Sequence, residues 1–452
     1  MGRLFGTDGV RGVAGRDLTP ELALRLGRAL GLRLRARAGA GKRPRVVVGR
    51  DSRLSGDFLQ GALMAGLMAA GSDVDDVGVL PTPAVSYLTA VDQRSAGCVV
   101  SASHNPVPDN GIKVFGADGR KLSAEEEEAI EALVLSGVED AYEWPVGEDV
   151  GVRHDVAAAA RLRYVEHLRR AGPPDLAGWR LVVDAGHGAA AGILSRVLSD
   201  LGAEVTALSD VPDGSRINVG CGATAPQGAA EEVRRRQAHA GLTLDGDADR
   251  LIAVDERGQI VDGDGVLAIL AEHLLAEGRL SGSVVVATTM SNGGLARFLR
   301  TLGVRLVRTP VGDRHVAAAM EEGGYALGGE QSGHVLMPHL APTGDGELTA
   351  MVLLRVLALR GEPLSALAGR VQRLPQRLIS LPLGAGEREA WRTPAVERAM
   401  ERARAALGPD GRLVVRPSGT EPLLRVMAEG ESEEAVAEAV RLVEEALVAA
   451  RA

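Results

Sequence analysis

Four short segments of this chain set reactive side chains among small residues. The first is Gly97-Cys98-Val99-Val100-Ser101-Ala102-Ser103-His104-Asn105-Pro106, an apolar strand pattern running into a serine-rich turn broken by proline. A serine on such a turn with a histidine beside it is a candidate nucleophile. The pattern is not Gly-x-Ser-x-Gly, so a hydrolase triad lacks support. Taken alone, the segment is also the composition of a turn whose Ser and Asn only bond the backbone.

The second segment is Asp245-Gly246-Asp247-Ala248-Asp249-Arg250, after the largely apolar residues 242–244. Carboxylates at alternate positions can converge on one hard cation, and oxygen-only ligands favour Mg²⁺ or Ca²⁺ over zinc. Glu256 falls where an EF-hand would place its twelfth residue, but Arg250 stands where that loop needs glycine, and the flanks read as strands. The third, Gly328-Gly329-Glu330-Gln331-Ser332-Gly333-His334, is a dense set of donors and acceptors for a polyol, or a surface turn. The fourth, Arg416-Pro417-Ser418-Gly419-Thr420-Glu421-Pro422 with Arg425 beyond, brackets hydroxyls and backbone N–H groups with arginines. That suits a phosphate dianion; a plain hairpin turn is the alternative.

A nucleophile, a cation site, a polyol loop and a phosphate loop together point to phosphoryl transfer on a sugar phosphate. There is no Gly-x-x-x-x-Gly-Lys-Ser/Thr loop, and no Gly-x-Gly-x-x-Gly follows an early strand, so nucleotide-dependent readings are disfavoured.

Strands must carry these loops. A strand–loop–helix–glycine–strand unit appears three times: residues 46–50, 56–70 and 71–74; then 181–184, 192–201 and 202–205; then 284–287, 295–302 and 303–306. Each reads as a βαβ crossover with strands buried on both faces, and three copies predict three related α/β domains. The tail reads as strands at 377–383, 412–416 and 423–429 and helices at 395–406 and 433–449, with a turn at 408–411. The expectation is three α/β domains with mixed sheets plus a smaller C-terminal α+β domain, around a central cleft. The domains would span 1–150 with the nucleophile loop, 151–255 with the metal loop, 256–370 with the sugar loop and 371–452 with the phosphate loop. Ligands collect at the carboxyl ends of such strands.

Composition narrows the partners. The chain has 452 residues, 45% hydrophobic and 25% charged, with net charge −9. No basic run marks a nucleic-acid or membrane arm, and 3 Trp, 4 Tyr and 4 Phe are too few for base-stacking platforms. Cys98 and Cys221 form no disulfide framework, so a reducing cytoplasm is expected. The N-terminus reads as neither signal peptide nor myristoylation site, and apolar stretches such as 63–70 and 351–359 are short for a bilayer. Lysine occurs only at Lys42, Lys113 and Lys121 among 51 basic residues. Arginine does not titrate, so a lysine retained beside a reactive group carries information.

The chain resembles the α-D-phosphohexomutases, from Phe5-Gly6-Thr7-Asp8-Gly9-Val10-Arg11-Gly12 to the arginine-bracketed loop, with motifs in family order. Ser-Ala-Ser-His-Asn-Pro with Asp-Gly-Asp-x-Asp-Arg is a highly specific pair of motifs. Gln331 and Met290-Ser291-Asn292 point to the branch acting on glucosamine phosphates. The resemblance implies interconversion of glucosamine 6-phosphate and glucosamine 1-phosphate through a phosphoserine enzyme and a 1,6-bisphosphate, supplying UDP-N-acetylglucosamine synthesis. Ser103 would carry the phosphoryl group, with His104 beside it. Asp245, Asp247 and Asp249 would hold one Mg²⁺ per chain, completed by a phosphoserine oxygen. Arg11 and Arg250 would steady the reacting phosphoryl group. Lys113 would be an acid/base, its pKa lowered by neighbouring cations. Glu330, Ser332 and His334 would hold the sugar, and Arg416, Ser418, Gly419, Thr420 and Arg425 the other phosphate. A hexosamine or hexose 1,6-bisphosphate would be the activator. The expected partner is a small sugar phosphate, with no nucleic acid and no membrane, on a monomer or homodimer. Ala248 stands where many members have Gly, and His315 where an aromatic is commoner. Rival readings are a phosphomannomutase or phosphoglucomutase, a Mg²⁺-dependent phosphatase, and a non-catalytic sugar-phosphate sensor.

Overall fold

Val46, Val47 and Val48 are all but inaccessible to solvent, as a strand between helix layers requires. The computed structural model describes residues 4–6, 8–39, 42–137, 143–382, 392–408, 411–417 and 423–449. The first sheet holds β1 (Val10–Val13), β2 (Arg45–Arg50), β3 (Asp73–Val79), β4 (Ala96–Val100), β5 (Asp109–Phe115) and β6 (Arg153–Asp155), in the order β1-β5-β4-β2-β3-β6. β2 runs parallel to β3 and β4, while β5 is antiparallel to β4 and β1. The helix Gly56–Ala69 links β2 to β3 in the expected crossover. Its Leu59, Leu63 and Leu67 pack in one core with Leu26 and Leu30 of the helix Pro20–Ala38. Thr19 caps that helix through the Leu22 N–H, and Pro20 stands in its first turn.

The second sheet holds β7 (Arg180–Asp184), β8 (Glu204–Leu208), β9 (Ala240–Leu244), β10 (Leu251–Asp255) and β11 (Ile260–Val261), in the order β11-β10-β9-β7-β8. β7 is parallel to β8 and β9; β9 turns antiparallel into β10, and that turn is the three-aspartate loop. Strands therefore flank it, as the sequence predicted. β6 and β11 lie a few residues beyond positions 150 and 255, and each adds an edge strand to the preceding sheet.

β12 (Val284–Thr288) pairs parallel with β14 (Gly328–Gly329), which turns antiparallel into β15 (Val335–Leu336); β13 (Arg305–Thr309) follows the helix Gly293–Thr301. The last sheet is antiparallel, with β16 (Gln376–Pro382), β17 (Arg412–Pro417) and β18 (Leu423–Glu429) in the order β16-β18-β17. The helices Pro394–Leu407 and Glu433–Ala449 share a core with it, built on Val396, Leu424, Val426 and Val440. Positions 383, 409 and 410 of the expected tail lie outside the described residues. Contacts group the chain into two units, Met1–Thr288 with Thr309–Ala368, and Thr289–Arg308 with Gly369–Ala452. No helix among the described residues is long and apolar enough to cross a membrane.

Candidate active site

The nucleophile loop leaves the carboxyl end of β4. Ser103 is buried and sits in the left-handed region at φ 50°, a conformation that costs a non-glycine residue energy and is concentrated at functional sites. Its hydroxyl donates to Asp245 Oδ2 at 2.6 Å and lies 3.2 Å from His104 Nδ1. Its N–H donates to Ser101 Oγ at 2.9 Å, and its carbonyl accepts from Arg53 Nη2 at 3.0 Å and Asn218 Nδ2 at 2.9 Å. Backbone and side chain are thus fixed from three directions.

The loop between β9 and β10 meets Ser103 because residue 246 is glycine. A Cβ there would stand 2.7 Å from the Ser103 carbonyl oxygen and 2.8 Å from Asn218 Nδ2. Asp245, Asp247 and Asp249 are buried, with one oxygen of each within 4.8 Å of the others. Asp247 Oδ1 and Asp249 Oδ1 are buried without hydrogen-bond partners. Burial, then the charges of Asp249 and Asp247, push the Asp245 carboxyl well above its ordinary pKa. Converging buried carboxylates that repel one another, two of them with an oxygen that no donor satisfies, fit a hard divalent cation.

Arg11, on β1, donates to Asn105 Oδ1 at 3.0 Å and pairs with Asp8. Arg250 Nε lies 3.6 Å from Asp249 Oδ1. Lys113, on β5, reaches Asp247 Oδ2 at 2.8 Å, Asp249 Oδ2 at 3.4 Å and Asp8 Oδ2 at 3.6 Å. The sequence expectation for Lys113 is corrected here. Burial alone would lower its pKa, but the charges of Asp247, Asp8 and Asp249 outweigh burial and hold it above the ordinary lysine value. The carboxylates around it, not the nearby cations, set the sign. His104 is driven the other way, to about 4, by burial and then by Arg250, so its ring is neutral near pH 7.

The loop between β14 and β15 carries Glu330, Ser332 and His334. Gly333 crosses at φ +95°, where a Cβ would meet the Leu251 carbonyl oxygen at 2.2 Å. Glu330 Oε1 accepts from the Gly312 N–H at 3.1 Å. His334 is buried, with Nδ1 3.7 Å from Asp249 and Nε2 3.6 Å from Asp313. Against its burial, Asp249 and then Asp313 raise its pKa to about 9, so it is charged at neutral pH.

In the other unit, Arg416 and Arg425 are direct partners across β17 and β18. Burial and then the Arg425 charge lower the Arg416 pKa. Like charges opposite one another destabilise a strand pair, and an anion between them would reverse that. Ser418, Gly419 and Thr420 lie outside the described residues.

Sequence reasoning did not single out Asp8, Asp313, Arg53 or Asp51. Arg53 and Asp51 form a fully buried ion pair at 3.1 Å. Arg53 acts on backbone carbonyls and Asp51 on Arg53 and the Ser101 hydroxyl, and no spacing rule reports such contacts.

Four successive segments match the phosphoglucomutase/phosphomannomutase family: α/β/α domain I at 2–140, domain II at 162–258, domain III at 262–374 and the C-terminal domain at 385–446. The chain belongs to that family. A phosphoglucosamine mutase from Symbiobacterium thermophilum is 52% identical over 432 residues, 95% of each chain. A phosphoglucomutase/phosphomannomutase family protein from Burkholderia thailandensis superimposes with TM-score 0.80 at 29% identity, covering 99% of this chain and 98% of that one. An N-acetylphosphoglucosamine mutase from Aspergillus fumigatus, solved with GlcNAc-6P and magnesium, shares the fold at TM-score 0.64 and 18% identity, over 99% of this chain and 95% of its own.

Proposed function

We propose that this chain is a phosphohexomutase isomerase that interconverts glucosamine 6-phosphate and glucosamine 1-phosphate through a phosphoserine and a 1,6-bisphosphate. The observation that carries the site assignment is the 2.6 Å contact between Ser103 Oγ and Asp245 inside the buried three-carboxylate cluster. We assign Ser103 as the phosphoryl carrier, with the four-part division 1–150, 151–255, 256–370 and 371–452 as its framework. Asp245, Asp247 and Asp249 would hold Mg²⁺, completed by a phosphoserine oxygen. When bound, that ion neutralises charge on the transferring group.

Phosphoryl transfer asks the protein for positioning and charge neutralisation. The bond from Ser103 Oγ to phosphorus breaks as one forms to O1 of glucosamine 6-phosphate. The sugar hydroxyl gives up a proton and Ser103 Oγ takes one up. His104, neutral and 3.2 Å from Oγ, is placed to exchange that proton. Lys113, 2.8 Å from Asp247 Oδ2 and 3.4 Å from Asp249 Oδ2, would be the acid/base group beside the metal carboxylates. Arg11 and Arg250 add fixed positive charge. The bisphosphate then turns within the site and returns its C6 phosphoryl group to Ser103, leaving glucosamine 1-phosphate. Glu330, Ser332 and His334 would hold sugar hydroxyls, and Arg416 and Arg425, with Ser418, Gly419 and Thr420, the phosphate that does not react. A hexosamine or hexose 1,6-bisphosphate would prime the serine. A cytoplasmic location, supply of UDP-N-acetylglucosamine synthesis, and a monomer or homodimer complete the reading.

³¹P NMR turnover of the purified protein with Mg²⁺ and trace hexose 1,6-bisphosphate tests it. Glucosamine 6-phosphate, glucose 1-phosphate and mannose 1-phosphate are compared at equal concentration. We expect kcat/KM to favour the glucosamine substrate by about tenfold, ~1.4 kcal/mol of transition-state preference. A lead for glucose or mannose phosphate would overturn the sugar assignment. Phosphate release without isomerisation would identify a phosphatase, and binding without turnover a sensor.

A further inference from the structure

Two of the three lysines, Lys113 and Lys121, stand in one charged cluster, and the proposed reaction uses only the first. Lys121 follows β5 and pairs with Phe115 in an isolated bridge. Its Nζ lies 2.6 Å from Asp8 Oδ1 and 2.6 Å from Asp313 Oδ2. Asp8 turns its other oxygen to Lys113 at 3.6 Å, and Lys113 reaches Asp249 Oδ2 at 3.4 Å. Asp249 Oδ2 faces His334 Nδ1 at 3.7 Å, and His334 Nε2 faces Asp313 Oδ2 at 3.6 Å. The contacts close into a ring, Lys121–Asp8–Lys113–Asp249–His334–Asp313, in which basic and acidic groups alternate at every step.

We propose that Lys121 is a positioning residue: by bridging Asp8 and Asp313 it fixes Lys113 and His334 on either side of Asp249. Without its charge, two carboxylates in a partly buried site would lack the cation between them. Each would then lean on its remaining basic neighbours, Asp8 on Arg11 and Lys113 and Asp313 on His334, and Lys113 and His334 would be drawn off Asp249. A compact ammonium suits a bridge between two carboxylate oxygens, each 2.6 Å away. A planar guanidinium fork presents its donors differently, which accounts for a lysine here in a chain that otherwise uses arginine.

This inference rests on the mutase reading, and its test separates the two. Full-length wild type, Lys121→Met, Lys121→Arg and Asp313→Asn are assayed with Mg²⁺, trace hexose 1,6-bisphosphate and glucosamine 6-phosphate, and their thermal midpoints are recorded. We expect Lys121→Met to lower kcat about thirtyfold with KM changed less than threefold. Lys121→Arg should recover at least threefold of the lost kcat. Asp313→Asn, which preserves shape, should lower kcat about fivefold while folding normally. A Lys121→Met kcat within twofold of an active wild type would overturn the inference alone, as would a loss matched by the unfolded fraction. If Lys121→Met does not fold, an unchanged kcat in Asp313→Asn overturns it. Absence of turnover in the wild type would overturn the reaction and this inference with it.

Discussion

Arg53, with no solvent exposure, donates to the carbonyl of Ser103 at 3.0 Å. The same guanidinium serves the carbonyls of Asn105 at 2.7 Å, Pro106 at 2.6 Å and Asp109 at 2.9 Å, and its Nε pairs with Asp51 at 3.1 Å. Asp51 in turn accepts from the Ser101 hydroxyl at 2.7 Å. One side chain therefore holds the loop that puts Ser103 at φ 50°. Arg53→Met would leave Asp51 buried and unpaired, a change that typically costs about 3–5 kcal/mol. We expect a loss of that order in denaturant unfolding and at least tenfold in kcat. A loss under about 1 kcal/mol with kcat intact would show that the loop keeps its shape unaided.

The unpartnered oxygens of Asp247 and Asp249 lead to a prediction read without turnover. A ligand that binds only the folded state stabilises it by about 2.7 kcal/mol at a concentration of 100 Kd. Titrating Mg²⁺ should raise the thermal midpoint of the wild type. Asp247→Asn keeps the side chain's shape and an acceptor for Thr82 Oγ1, which now donates at 2.6 Å, but removes the charge. The Mg²⁺-dependent rise should then largely disappear, together with mutase turnover. An equal rise in both proteins would place the cation elsewhere.

Much of this site could be read before any coordinates. Ser103 and the aspartate triplet, which the structure brings together, stand out because each group is close in sequence and follows an apolar strand. The first strand of each crossover, β2, β7 and β12, was legible because a strand buried on both faces is continuously apolar. Lys113 was named from the sequence, but the direction of its pKa shift could not be read there. That sign depends on Asp247, Asp8 and Asp249 arriving from other elements, and the sequence gives no distances between them. Asp8 and Asp313 were missed for a related cause: each matters only through its contacts with Lys113, Lys121 and His334. The edge strands β6 and β11 are too short and too exposed to carry a burial pattern.

Ala248 sits in the three-aspartate loop between β9 and β10 at φ 59° with no exposed surface. The left-handed conformation costs an L-residue roughly 1–2 kcal/mol. Glycine removes that strain but gains freedom in the unfolded chain and loses a buried methyl. The effects oppose, so Ala248→Gly should change stability by less than about 1 kcal/mol and kcat by less than twofold, given the sizes of those opposing effects. Ala248→Val places a β-branched residue where such residues are outliers and should destabilise by more than about 2 kcal/mol, combining strain with overpacking. Equal stability of the two variants in urea would mean that the loop relaxes out of this conformation.

Asp345 caps the helix Gly346–Arg360, accepting from the Leu348 N–H at 2.9 Å while the Tyr164 hydroxyl donates to it at 2.9 Å. Burial nonetheless raises its pKa to about 7. Glu347, two residues on, is fully buried; burial and then the Asp345 charge push its carboxyl well above the ordinary range. The folded chain therefore keeps protons that the unfolded chain releases above pH ~4. Wherever the folded state binds more protons, stability falls as pH rises, by about 1.4 kcal/mol per pH unit for one fully displaced proton. For Asp345 the window runs from the ordinary aspartate value to about 7. Asp345→Asn keeps the capping oxygen and removes the titration. Across pH 4 to 7 the wild type should lose stability relative to this variant, and the gap should stop widening above pH 7 unless Glu347 extends it. Parallel stability curves over that range would mean that Asp345 ionises at its ordinary pKa in the folded protein.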